Sequence, residues 1–158
     1  MFREVRRKKN ELSADAAKKL LSNERRAILA MNGDDGYPYA IPVNYLYSEA
    51  DGRIYFHGSP VGYKAELIEK CPKICFTVYG SVSVGDPEWA PFVQSAVVFG
   101  RCRRVEDKER TLRLAREFAR KYYPDEESIE AVIAGSGDAV RMFEIVIEHI
   151  TGKQVQEK

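Results

Sequence analysis

One short stretch, Phe56-His57-Gly58-Ser59-Pro60-Val61-Gly62-Tyr63-Lys64, gathers groups that can hold an anion. Arg53 to His57 alternates and is rich in aromatic and β-branched residues, which predicts a strand. Ser59 suits a helix N-cap and Pro60 the first helical position, and Tyr63, Leu67 and Ile68 follow at helical spacing. A helix start aims unpaired backbone amides at one point, where the macrodipole favours negative charge. Lys64 stands about one turn in and its ammonium can reach the same spot. Gly58 and Gly62 permit close approach to the backbone. The chemistry predicted is phosphate binding. Ser-Pro also opens helices that bind nothing, and a lysine here can be merely solvated. The stretch is not a P-loop, because Gly-x-x-x-x-Gly-Lys-Ser/Thr occurs nowhere, and no Gly-x-Gly-x-x-Gly opens a βαβ unit.

The elements that must position this stretch are mostly strands. Residues 1–10 are basic and read as an arm or edge segment. Ser13 caps a helix bearing Ala16, Ala17, Leu20 and Leu21 on one face. A strand over 26–31 runs into the turn Asn32-Gly33-Asp34-Asp35-Gly36, and 38–47 returns with Pro42 marking an edge or irregular pairing. The third strand is 53–57. The helix from Pro60 ends before Pro72, and 73–79 is the fourth strand. A loop over 80–91 carries Trp89, and 92–105 is a long fifth strand. Residues 106–122 are amphipathic, 125–134 form a shorter helix, 141–150 the sixth strand, and Thr151 onward a polar tail. Short connections favour an antiparallel sheet curled into a barrel over a parallel βαβ sheet.

Composition narrows the class. A chain of 158 residues, 44% hydrophobic, reads as one domain, 1–158, with a substantial core. Twenty-five basic residues against 24 acidic ones leave a formal charge of +1, so nothing global points to nucleic acid or a membrane surface. No apolar run has membrane-spanning length, and the charged N-terminus does not resemble a secretory signal, which together predict a cytoplasmic setting. Cys71, Cys75 and Cys102 make no closed disulfide set, and with His57 and His149 they lack zinc-site spacing. Reduced thiols and no metal are expected.

The order of these pieces resembles the pyridoxamine 5′-phosphate oxidase-related, FMN-binding split-barrel family, in particular its nitroimidazole-resistance-like subgroup. The resemblance rests on Asn32-Gly33 with Gly36-Tyr37-Pro38-Tyr39, Ile41-Pro42-Val43-Asn44-Tyr45, Ile54-Tyr55-Phe56-His57-Gly58-Ser59 and Gly62-Tyr63-Lys64. Leu67-Ile68, Pro72-Lys73-Ile74-Cys75-Phe76, Phe99-Gly100-Arg101 and Ile150-Thr151-Gly152-Lys153-Gln154 extend it across the chain. It implies a mainly β fold, a six-stranded antiparallel split β-barrel with peripheral helices, binding FMN in a homodimer near the subunit interface. It also implies that Pro42, Val43 and Asn44 run along the isoalloxazine edge with Tyr45 or Tyr47 packed nearby. His57, Gly58 and Ser59 would lie by the ribityl chain and phosphate, Tyr63 and Lys64 would close on the phosphate, and Gln94 and Ser95 would open a strand passing the cofactor. Each has a purely structural alternative: Pro42 can mark an edge strand, Asn44 can bond a turn, and His57 can be a packed histidine without a ligand.

The activity implied is an oxidoreductase that passes electrons from NAD(P)H to a small acceptor such as a nitroaromatic compound. The chain offers no obvious acid or base tuned for that chemistry, so no catalytic residue is singled out. A non-catalytic flavin- or haem-binding module is the alternative, with His57 and His149 as the only histidines for a haem.

Overall fold

The computed structural model describes residues 1–82, 90–136 and 139–156, with side chains described at 1–80, 90–136 and 139–156. Trp89, the loop tryptophan singled out above, lies outside the described residues. Eight strands form one antiparallel sheet: β1 (Glu11–Leu12), β2 (Arg26–Asn32), β3 (Pro38–Asn44), β4 (Leu46–Ser48), β5 (Arg53–Gly58), β6 (Lys73–Val82), β7 (Phe92–Arg104) and β8 (Arg141–Gln156). Helices α1 (Ala14–Asn23), α2 (Tyr63–Lys70), α3 (Lys108–Arg120) and α4 (Glu126–Ser136) accompany it. The strand order is β3-β2-β6-β7-β8-β5-β4, with β1 added on β8. This is the split-barrel class expected, but with eight strands among the described residues rather than six.

The extra strands have local causes. Tyr45 interrupts the predicted 38–47 strand, because its amide turns from the ladder to the Tyr122 hydroxyl (2.8 Å), which leaves β3 and β4 as separate strands. The basic N-terminal segment is tied down where Glu11 and Leu12 pair with Lys153 and Gly152. The same pairing makes the predicted polar tail a strand, since β8 runs to Gln156 along the whole of β7. A bulge between Phe99 and Gly100 shifts the register of that long ribbon by one residue, so that Phe99 pairs with His149 and Gly100 with Ile147.

Two apolar layers result. Leu29, Phe56, Phe76, Val98 and Ile145 fill the inside of the curl, with Leu20 and Leu21 of α1 packed on them. Val105, Leu114, Phe118, Ile129 and Met142 join α3 and α4 to the other side of β5 and β8. Ser13 caps α1 by accepting from the Ala16 amide, as its position predicts (3.2 Å), and Asp107 caps α3 by accepting from the Arg110 amide (2.6 Å). No helix of the described residues is long and apolar enough to cross a membrane.

Candidate functional site

The strand-to-helix corner differs in one respect from the sequence expectation. α2 begins at Tyr63, three residues after Pro60, and its N-cap is Gly62 at φ 111°, which a side chain strongly disfavours. Ser59 does not cap the helix; its hydroxyl accepts from the Val61 amide (3.2 Å) and shapes the turn before it. The delay matters for Lys64. It sits in the first turn of α2, and its ammonium folds back over Gly58. A Cβ at position 58 would stand 2.8 Å from Lys64 Nζ and 3.2 Å from the Phe143 ring. Glycine at 58 therefore makes room for the ammonium.

That ammonium is poorly compensated by protein charge. It lies 5.3 Å from the Phe56 ring centroid and 5.9 Å from that of Phe143, and among the described residues no carboxylate pairs with it. The Cys102 thiol lies close enough to interact with it, but burial pushes that thiol up to about 12, so it stays neutral. Burial holds the Lys64 ammonium below the usual lysine range. A negatively charged ligand would relieve this.

Lys64 opens onto a cavity of about 370 Å³ lined by Arg26, Pro42, Val43, Asn44, His57 and Lys64. Three of the lining side chains are basic nitrogen groups and none is acidic. β2 and β3 bring the first four together, since Arg26 pairs with Asn44 and Ala27 with Val43. β3 is an edge strand, so one row of its backbone groups has no strand partner. Pro42 lacks an N–H and fits a position whose nitrogen faces that free edge. Antiparallel alternation then turns the Pro42 carbonyl and the Asn44 amide outward with it. His57 stands at the end of β5 with its ring edge-to-face on Phe118 (5.0 Å). Partial desolvation, and then the Lys64 charge, hold its imidazole below the usual histidine range. At neutral pH it is uncharged and offers one donor and one acceptor.

The other residues singled out in the sequence go elsewhere. Tyr45 is 0% exposed and its hydroxyl donates to the Leu21 carbonyl (2.8 Å), so it is packed in the core. The Tyr63 hydroxyl accepts from the Asp34 amide (2.9 Å) and braces the 33–36 turn, with its ring against Tyr39. Gln94 donates to the Gln154 side chain (2.8 Å), and Ser95 lines a separate cavity of about 500 Å³ beside Arg6, Arg7 and Lys153. The structure thus brings together Pro42, Val43, Asn44, His57, Gly58 and Lys64, leaves Ser59 in the adjoining turn, and places Tyr45, Tyr63, Gln94 and Ser95 apart.

Two contributors escaped the sequence reading. Arg26 was counted as a strand residue, yet register from the 33–36 turn sets it opposite Asn44 at the cavity. Tyr122 carried no local signal. Its hydroxyl accepts from the Tyr45 amide and reaches the carbonyls of Arg25 (2.6 Å) and Tyr45 (2.7 Å). One side chain from beyond α3 thereby pins the chain next to both Arg26 and Asn44.

The fold and sequence have counterparts. A structure from Bacteroides thetaiotaomicron, designated a candidate 5-nitroimidazole antibiotic resistance protein, is 21% identical with a TM-score of 0.75, covering 92% of this chain and 87% of that one. A FAD-binding protein from Mesorhizobium loti is 24% identical (TM-score 0.66; 92% and 96% covered). A flavocytochrome from Azotobacter vinelandii is 20% identical (TM-score 0.70; 94% and 71% covered). At these identities the likeness is one of fold. Comparison with the curated proteins found no match. The sequence model described as pyridoxamine 5′-phosphate oxidase matches residues 13–154. That span runs from the α1 cap through the cationic cavity to the strand that closes the sheet, and the chain belongs to the pyridoxamine 5′-phosphate oxidase family.

Proposed function

We propose that this protein is a flavoprotein that binds FMN in the Arg26–Asn44–His57–Lys64 cavity. The observation that carries the reading is a cavity holding basic side chains, without acidic ones, on a family fold whose solved relatives include proteins described as FAD-binding. The residues fit the group. Lys64 and Arg26 supply the charge that a phosphate monoester needs, and Gly58 leaves the ammonium accessible. Neutral His57 can donate to a phosphate or ribityl oxygen. The free edge of β3 at 42–44 offers a carbonyl and an amide to the polar rim of a flat heterocycle, and Val43 offers it an apolar contact. A bound flavin supplies hydride and electron transfer. The protein's part is to neutralise the phosphate, orient the ring along β3 and hold His57 beside it.

The reaction we propose is passage of electrons from NAD(P)H to a small acceptor such as a nitroaromatic compound. The assembly we propose is a homodimer. Ile28, Tyr79 and Phe99 are exposed large hydrophobics on adjacent strands β2, β6 and β7, and the register sets Thr77 and Val97 beside Ile28 on the same face. A second copy is a natural cover for such a face. Arg26 alternates onto the same side as Ile28, so the cavity mouth adjoins it. Gln94 and Ser95 enter this reading only through that second copy.

The deciding experiment is the visible spectrum of gently purified protein, followed by calorimetric titration with FMN. A flavin spectrum, or saturable binding that raises the unfolding midpoint, is expected. Colourless protein that FMN neither binds nor stabilises would sink the proposal. Anaerobic reduction of the loaded protein by NADH or NADPH tests the redox half separately.

A further inference from the structure

A second cleft of about 290 Å³ lies on the far side of His57, between α3, α4 and the ends of β5 and β8. Ala115, Phe118 and Ala119 form one wall, Val132 and Ile133 another, and Gly58, Val140 and Met142 the floor. Among the described residues, no charged side chain lines it. Two of the chain's exposed large hydrophobics, Tyr123 and Val132, stand at its rim. The opening has a sequence cause: Ala115 and Ala119, one turn apart on the buried face of α3, leave space where larger residues would meet Ile133. Among the described residues, His57 alone lines both this cleft and the cationic cavity. Its ring lies edge-on to Phe118 of the cleft wall, and it makes no hydrogen bond within the described residues.

We propose that this cleft is a binding subsite for a small, uncharged aromatic molecule, seated with its edge against His57. The volume suits one or two rings, because an engineered apolar cavity of about 150 Å³ already admits benzene. The lining excludes charged ligands, since a charge there would lose hydration without gaining a partner. His57 gives the ligand one polar contact and couples the two sites through a single imidazole. The inference goes beyond the proposed function and rests on it only for the identity of the anion next door.

The test uses prodan, an uncharged naphthalene fluorophore, on the intact protein without added cofactor. Saturable binding is expected, and Val132→Trp at the exposed rim should weaken it at least tenfold while preserving the unfolding midpoint. Ala119→Phe, which fills the cleft from the α3 side, should weaken binding as well, with a lowered unfolding midpoint because the residue is buried. Prodan should shift the imidazole NMR signals of His57 and leave those of His149, the other histidine, in place. No binding by the wild type, equal binding by both variants, or a shift confined to His149 would overturn the proposal. FMN titration of the same samples separates the two readings. Prodan bound in the cleft of a protein that ignores FMN would retain this site and discard the flavin, and the reverse result would discard this site alone.

Discussion

Two groups of cationic side chains occupy opposite fates in this molecule. On β8, Glu144 is 1% exposed and receives Arg103 Nε on one oxygen (2.5 Å) and Arg53 (3.0 Å) and Arg110 (2.5 Å) on the other. Arg110 also donates to the Tyr55 hydroxyl (3.1 Å), which in turn donates to Asp51. There every basic group has a protein partner, and the cluster ties α3 to the sheet. At the other end of β5, Lys64, Arg26 and His57 surround open space and pair with no carboxylate among the described residues. Burying an unmatched charge is expensive, so an anion from outside the chain that balances Lys64 would be favoured there. The matched cluster is architecture. The unmatched one is the site we propose for the ligand.

The largest expected effect breaks the matched side. Glu144→Gln leaves three guanidiniums around a buried neutral amide and should destabilise the protein by about 3 kcal/mol, read from urea unfolding. The figure sits at the low end for a broken buried pair because Arg103 is 66% exposed and can turn to water. A loss below ~1 kcal/mol would mean that the cluster is not structural.

Lys64→Ala breaks the unmatched side and should reverse the pattern. FMN affinity should fall by about 1.5–3 kcal/mol, roughly 10- to 150-fold, while the stability of the unliganded protein holds or rises. Calorimetry with paired melts distinguishes this from misfolding, and undiminished affinity would remove Lys64 from the site. Arg26 is more exposed, so Arg26→Ala should cost about 0.5–1 kcal/mol of FMN binding and flatten its dependence on salt. An unchanged salt slope would place Arg26 outside the phosphate's reach.

The pH dependence sharpens the contrast with the smallest effects. Glu144 loses solvation on burial, but the Arg110 and Arg103 hydrogen bonds outweigh that loss and hold its carboxyl below the usual range. Its contribution is therefore complete above the unfolded value of about 4.3 and lost as pH falls through the lower folded value. Wild-type stability should drop across that acid window, and Glu144→Gln should flatten the drop. For His57 the folded value is again the lower one, so unliganded stability should rise gently with pH between that value and about 6.5. His57→Asn should remove the slope, and FMN should shift the window upward by favouring the imidazolium.

The strand alternation of Arg26–Asn32, the turn after it and the cap at Ser13 each rest on neighbours a few residues away, and each was legible. So was the clustering of His57, Gly58 and Lys64, because a strand end and the first turn of a helix bring near neighbours together. Ser59-Pro60 misled by offering a helix start that Gly62 overrides with a left-handed turn. The surroundings of Tyr45 and Tyr63 were not legible, because a tyrosine in a site-like motif looks the same whether its hydroxyl faces a ligand, the Leu21 carbonyl or the Asp34 amide. Glu144 read as one polar residue in an alternating strand, and nothing local marked the three arginines that meet it.

By itself, then, the chain's order of apolar, polar and turn-forming residues determined the curled antiparallel sheet, the helices and the family to which they belong. Those signals are short-ranged and repeat along the backbone. Only the tertiary structure decided which charges are balanced. Lys64 and Arg103 are alike as letters in a sequence, and what separates them is whether a carboxylate arrives from a strand far away along the chain. Coulomb energy depends on distance through space and on the exclusion of water, and neither is written in the spacing of residues.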